Sequence, residues 1–186
     1  MKRIIAMAGR RIDHCDQRVA RFPLARTSWV YDRIRRLFME RDACGLVCSA
    51  ASGCDLIALQ AAQSVGLQQR TVILPFRRAL FRETSVVDRP GEWGPCFDRA
   101  VDAAARAGDL VILNDSEPSE SDRERAYAAV NSAILAKAMS MAEHARAAVL
   151  AVVVWDRRRR SGTDMTAEFA TRARSLRLPL MEIPTL

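Results

Sequence analysis

Gly45-Leu-Val-Cys-Ser-Ala-Ala-Ser-Gly-Cys-Asp-Leu-Ile-Ala-Leu-Gln-Ala-Ala-Gln-Ser-Val-Gly66 changes its period halfway along. Residues 46–48 are a short apolar run with the character of a buried strand, residues 49–53 are a turn of small side chains, and Leu56, Leu59, Ala62 and Val65 then recur at helical spacing. A strand feeding a helix through such a turn leaves the first N–H groups of the helix unpaired above the sheet, a setting that favours an anion such as phosphate. Ser52 is the expected N-cap, and Asp55 suits the positive end of the helix dipole. Taken alone, the same residues could do no more than cap a helix.

Upstream, residues 3–8 form another buried-strand pattern that ends at Gly9, followed by Arg10-Arg11. Glycine at a strand end lets a ligand approach the backbone closely, and either arginine could grip a phosphate by a charge-assisted fork, although an arginine pair also suits plain surface. Trp29, Ile34, Leu37 and Phe38 make an apolar stripe on a helix over 27–41. Downstream, 70–75 is a strand stopped by Pro75. Residues 76–94 have no clear period and carry Pro90-Gly91, which predicts a long excursion over the sheet edge of the kind that forms lids and binding loops.

A helix over 96–107 follows, with Phe97, Val101 and Ala104 on one face and Gly108 behind it. A strand over 109–113 leaves at Asn114-Asp115, and 116–121 is a polar loop. The helix predicted over 122–145 carries Tyr127, Asn131, Ile134 and Ala138 at three-to-four spacing. An amide on that stripe needs partners, so Asn131 either points into a site or sits at the stripe's wet edge. Residues 148–155 are the most continuously apolar run and predict a central strand. A polar loop, a helix over 165–176 and a short strand over 180–183 close the chain.

This cadence predicts a single α/β domain: a doubly wound, mostly parallel, Rossmann-like sheet with helices on both faces and a ligand cleft beyond the carboxyl ends of its strands. The 186-residue length suits one core. The longest apolar run, 147–155, falls far short of the roughly 20 residues of a membrane-spanning helix, so no membrane partner is expected. The basic start meets Arg10-Arg11 too soon for a secretory leader. Five cysteines without a C-x-x-C pair, and two histidines that complete no zinc spacing with them, predict reduced thiols, a cytoplasmic setting and no metal or other cofactor. The net charge of +7 rests on arginine, because Lys2 and Lys137 are the only lysines. Apart from Arg157-Arg-Arg-Arg160 the cations are neither clustered nor interleaved with aromatics, so a small anionic ligand fits better than nucleic acid.

The run Ile5-Ala-Met-Ala-Gly9-Arg10-Arg11, the turn Ser49-Ala-Ala51-Ser-Gly53-Cys-Asp55 and the strand ending at Pro75 together resemble the Rossmann-like SLOG superfamily. That group unites the DNA-processing protein DprA (Smf), the Lonely Guy (LOG) nucleotide phosphoribohydrolases and nucleotide-sensor domains of bacterial defence systems. Trp155-Asp156 with Ser161-Gly162-Thr163-Asp164 is similar to its late Gly-Gly-Thr loop, and Tyr127 with Asn131 resembles a Tyr-x-x-x-Asn helix of the defence branch. Two departures stand out. Arg10 occupies a position usually held by His or Ser, which leaves Arg11 at the family's arginine, and Ser161 replaces a glycine behind a block of arginines.

The resemblance implies a nucleotide or nucleotide-derived ligand. Gly9, Arg11, Ser49, Gly53, Gly162 and Thr163 would hold phosphate, Asp156 and Asn131 would bond ribose or base, and Trp155 or Tyr127 would stack. Arg10, Ala51, Asp55, Asn114 and Thr166 complete the candidate site. A sensor or binding module is the first expectation. The first alternative is a LOG-like enzyme that cleaves the N-glycosidic bond of a nucleoside monophosphate, with Glu168, about one residue out of register, as its carboxylate. The second is DprA-like binding of single-stranded DNA. LOG-like proteins also pair as dimers, for which the helix over 122–145 is the candidate interface.

Overall fold

A computed structural model describes residues 1–116 and 118–186, with the side chains of residues 120 and 121 outside that description. The elements run β1 (Arg3–Gly9), a 3₁₀ turn (Leu24–Arg26), α1 (Thr27–Glu40), β2 (Ala43–Cys48), α2 (Cys54–Ser64), β3 (Gln69–Leu74), α3 (Arg78–Ser85), α4 (Trp93–Arg106), β4 (Leu110–Ile112), α5 (Glu120–His144), β5 (Ala148–Trp155), α6 (Met165–Ser175) and β6 (Leu180–Pro184). The strands form one six-stranded sheet in the order β4-β3-β2-β1-β5-β6, and every pairing is parallel. It is a Rossmann-like α/β domain, more uniform than the mostly parallel sheet expected. No helix among the described residues is long and apolar enough to cross a membrane.

Alternation along each strand feeds two cores. Ile5, Met7, Leu46, Cys48, Val72, Leu74, Val152 and Val154 face α1, α2 and α4, against Val30, Ile34, Leu37, Phe38 and Phe97. Ile4, Ala6, Val47, Ile73, Ala151 and Val153 face α5 and α6, against Val130, Ile134, Leu135, Ala138, Phe169 and Ala173. Both faces are therefore covered, as the near-continuous apolar strands require.

The structure departs from the sequence-based expectation in several places. Residues 76–94 are not one long excursion: they hold α3 and the first two residues of α4. At eight residues α3 is too short to display a period, and what fixes it is tertiary, with Phe81 at 6.0 Å centroid distance from both Phe76 and Phe97. Pro95 is compatible with the first turn of α4, where its missing N–H has no intrahelical partner to lose, so the helix starts at Trp93 instead of residue 96. Ser52 is not the N-cap of α2. It is fully buried, and its hydroxyl donates to the Ser85 carbonyl at 3.2 Å, while Gly53, at φ +96°, takes the cap position. The strand over 148–155 is interior but stands one place from the edge, beside β6; β1 and β2 are the central pair. The loop expected over 116–121 falls partly on residue 117, outside the described residues, and α5 already begins at Glu120.

Candidate functional site

The strand order locates the cleft. From β1 the chain steps outward through β2, β3 and β4, then returns in α5 to the other side of β1 and continues to β5 and β6. The connection after β1 leads to α1 on one face, and the connection after β5 leads to α6 on the other. Loops that diverge to opposite faces open a crevice beyond the strand ends at this switch point. A cavity of about 260 Å³ lies there, bordered by Gly9, Arg10 and Arg11 after β1, by Ser49, Ala51 and Asp55 around the start of α2, by Phe81 and Ser85 of α3, by Tyr127, Asn131 and Ile134 of α5, and by residues 160 and 163–166 before and within α6.

Its floor is a network of ion pairs. Arg10 is 2% exposed, and its Nε donates to Asp156 at 3.1 Å. Its terminal nitrogens donate to both oxygens of Asp164 at 2.6 and 2.8 Å and to the Arg158 carbonyl at 2.5 Å. Arg21 donates to the other Asp156 oxygen at 2.9 Å and to the same carbonyl. Burial works against the Arg10 cation but is outweighed by Asp164 and Asp156, so its pKa is raised. Asp164 in turn caps α6, accepting from the N–H groups of Thr166 and Ala167. Burial opposes the Asp164 anion, yet Arg10 and the Arg160 and Ala167 N–H groups outweigh it and hold the carboxyl at about 2. Arg10 thus clips the β1 loop to the β5–α6 loop, with four of its five side-chain N–H groups engaged there.

The start of α2 was expected to present open N–H groups, and the chain itself takes up several of them. The Arg10 carbonyl accepts from Cys54 N–H at 3.2 Å, the Ser85 carbonyl from Ser52 N–H at 3.0 Å, and Asp55 from Ala51 N–H at 3.1 Å. The β1 loop can approach this closely because residue 53 has no side chain: a Cβ there would lie 2.8 Å from Ile12 N and 2.9 Å from the Arg10 carbonyl. Gly9 is required for the same contact, since a Cβ would meet Cys54 Sγ at 2.4 Å. Side chains, more than a backbone nest, are therefore what an anion would meet. Arg11 borders the cleft and is a quarter exposed, donating to Ser52 Oγ at 3.4 Å and to Asp88. Arg160 borders it too and makes no side-chain hydrogen bond among the described residues. Desolvation, then the nearby guanidinium groups of Arg10, Arg21 and Arg11, lowers the Arg160 pKa, with Asp164 opposing.

Asp55 is the other titratable group on this wall. Burial pushes its carboxyl up to about 7, against the lowering pull of the Ala51 N–H and of Arg11. The same burial, followed by the Asp55 charge, raises the thiols of Cys48 and Cys54 well above their ordinary value, which marks them as unreactive core.

The rest of the lining is largely apolar and aromatic. Phe81, Val130 and Ile134 border the cleft, and Tyr127 is held at an angle to Phe76, ring centroids 5.8 Å apart, with its hydroxyl 2.9 Å from Ser85 Oγ. Asn131 is buried, and its amide donates to the Met165 carbonyl at 2.8 Å and to Glu168 Oε2 at 2.5 Å. The partners that a buried amide needs are thus found in α6.

Of the residues singled out in the sequence, Gly9, Arg10, Arg11, Ser49, Ala51, Asp55, Tyr127, Asn131, Thr163 and Thr166 come together around this one cavity. The rest are placed elsewhere. Gly53 is buried beneath the β1 loop. Asp156 is occupied by Arg10 and Arg21. Trp155 lies in the core, with the Arg10 guanidinium 5.7 Å from its ring centroid and its indole N–H donating to Glu182. Asn114 is exposed in a turn with Ser116. Gly162 and Glu168 border a shallower groove on the outer side of α6, where Glu168 is paired with Arg172 at 2.5 Å.

Phe81, Ser85, Arg160, Asp164 and Met165 belong to the cleft and were not picked out as site residues. An aspartate just before a helix is an N-cap signal, and Arg160 ends the arginine block, so two of these had a trace in the sequence. Phe81 and Ser85 lay in the segment read as irregular. Among the described residues no cluster of His, Cys, Asp and Glu could hold a metal ion. The chain matches no protein-family model, no curated protein and no solved structure.

Proposed function

We propose that this chain binds an anionic, nucleotide-type small molecule in the cleft above β1 and β5, and that it acts as a binding or sensing module. The observation that carries the reading is the mixed lining of the cavity: the aromatic and aliphatic side chains Phe81, Tyr127 and Ile134 border it together with Arg11 and Arg160 and with Ser49 and Thr163. A base and sugar joined to phosphate combines the same two characters. Concave sites that combine an apolar lining with a few convergent polar groups are the usual form of a small-molecule site. The volume, about 260 Å³, is close to the lower end of the range such sites occupy, which favours a mononucleotide-sized occupant over a polymer.

The binding reading is favoured over hydrolysis by the fate of Glu168. Its two oxygens are committed to Asn131 and Arg172, and it does not border the cavity. Base release from ribose needs a carboxylate near the anomeric carbon. Asp55 is the carboxylate on the cavity wall that is not consumed by an arginine, and near pH 7 it is divided between its two protonation states.

Native mass spectrometry after incubation with mononucleotides, cyclic nucleotides and ADP-ribose tests the reading. A retained, intact ligand is expected, lost on substitution Arg160→Gln or Arg11→Gln. Release of free base and ribose phosphate would replace binding by hydrolysis and turn attention to Asp55. Oligonucleotide binding that falls steeply with salt, with no small ligand retained, would replace it by a nucleic-acid function.

A further inference from the structure

The cations around the cleft are unequally served. Arg10 and Arg21 are ion-paired with Asp156 and Asp164, Arg21 through Nη1 alone. At the rim, Arg11 donates to Asp88 Oδ1, while Arg89 Nε lies 3.4 Å from Asp88 Oδ2. Arg89 makes no hydrogen bond among the described residues. Its side chain is 10% exposed, and its buried Nε meets Asp88 as an ion pair without a hydrogen bond. Asp13 lies near enough to favour the Arg89 cation, but its Oδ2 accepts the N–H groups of Arg21 and Phe22 and its Oδ1 is orphaned. Arg160 completes the rim without a side-chain hydrogen bond. One partly exposed carboxylate, Asp88, therefore stands between two guanidinium groups, with a third close by.

Desolvation first, then Arg11 and later Arg160, lowers the Arg89 pKa, with Asp88 and Asp13 opposing. The guanidinium groups act unfavourably on one another, and the nearby carboxylates Asp88, Asp13 and Asp164 offset this only in part. The arrangement becomes favourable when a multiply charged anion enters. Arg11 and Arg160 border the cavity, whereas Arg89 does not and is joined to Arg11 through the Asp88 carboxylate. A phosphate at Arg11 and Arg160 would use the two cations that border the cavity; a second phosphate that displaced the Asp88 carboxylate from between Arg11 and Arg89 would add the third.

We infer that Arg11, Arg89 and Arg160 form a second phosphate subsite, occupied in the unliganded chain by Asp88, and that the ligand of the cleft is of the nucleoside diphosphate class. The inference rests on the nucleotide reading for the identity of the ligand and on the rim geometry for the number of phosphates. Asp88 acts as an internal competitor. Its carboxylate sets a threshold that a monophosphate does not cross as readily as a diphosphate does.

Isothermal titration of the full chain with inorganic phosphate, inorganic pyrophosphate, AMP, ADP, GMP and GDP tests it, using the wild type, Arg89→Gln and Asp88→Asn, each checked for folding by circular dichroism. Loss of one charge-assisted contact corresponds to about a tenfold change in affinity or more. The expected result is diphosphates at least ~10-fold tighter than the matching monophosphates, a difference erased in Arg89→Gln with monophosphate binding kept, and tighter pyrophosphate binding in Asp88→Asn. Nucleotides that bind with no diphosphate preference, or with a preference that survives Arg89→Gln, would overturn the subsite and leave the nucleotide reading standing. Pyrophosphate that binds through Arg89 while no nucleotide binds would do the reverse. Binding of nothing in the panel would sink both. Should Arg89→Gln fail to fold, unchanged pyrophosphate affinity in Asp88→Asn overturns the inference by itself.

Discussion

The floor and the rim of the cleft are both built from arginine and aspartate, and they are opposite kinds of structure. On the floor each guanidinium is matched: Arg10 and Arg21 meet Asp156 and Asp164 in a buried network that ties the end of β1 to the loop after β5. At the rim Arg11 and Arg89 share Asp88, and Arg160 makes no side-chain hydrogen bond among the described residues. A buried network of ion pairs holds a shape; a less fully paired, half-exposed one is a place for something else to bind. The comparison teaches that charge alone does not mark a ligand residue, because Arg10 and Arg11 are neighbours in the chain with different roles.

Breaking the floor should give the largest effect. Arg10→Ala leaves Asp156 and Asp164 without their buried partner and is expected to cost about 3–5 kcal/mol of stability in urea unfolding, whereas Arg160→Ala at the rim should stay within about 0.5 kcal/mol. Equal costs would erase the distinction. The next effect is pH-dependent and comes from the cleft wall. Burial holds the Asp55 carboxyl protonated up to about 7 in the folded chain, against an ordinary value of 3.8. Between these values the unfolded chain gives up the proton first, so folding stability falls as pH rises from about 4 to 7. By linkage the loss is about 4 kcal/mol at pH 8. Asp55→Asn should flatten that part of the stability profile, and an unchanged slope would show that Asp55 ionises freely.

Asp164 sharpens the contrast with the opposite sign. Its carboxyl is held at about 2, so it stabilises the fold above pH 4 and loses that contribution as pH falls from about 4 to 2. The amount is about 2 kcal/mol, and Asp164→Asn should remove that acid limb in pH-jump unfolding. The smallest effect belongs to the apolar wall. Tyr127→Phe deletes the contact with Ser85 and should cost about 1 kcal/mol in thermal melting while keeping the ring in place.

The architecture was legible because strand and helix periods alternate on either side of residues 76–94 and because apolar runs such as 148–155 can only be covered on both faces. The strand order was not, since it is settled by pairings between distant segments such as Arg3 with Ala148. The same distance hid the division of labour between Arg10 and Arg11: what consumes Arg10 is Asp156 and Asp164, at the far end of the chain. The aromatic wall was missed at Phe81 because α3 has too few turns to announce itself and is fixed by its packing. Small residues did announce the Ser49-to-Asp55 turn correctly, but the reason for Gly53 is the backbone of residues 10–12 lying against it.

The uniform direction of the sheet carries a kinetic consequence. With no antiparallel neighbour anywhere in the order β4-β3-β2-β1-β5-β6, no strand pair can zip up as a hairpin, and each pairing waits for a crossover to be completed. β1 can meet β2 early in synthesis, but its other edge has no neighbour until the residues from Ala148 onward have been made. For most of its emergence the nascent chain would carry an open central strand edge, with the cleft floor unassembled, since Asp156 and Asp164 come later still. Until then nothing closes the edge against a second chain.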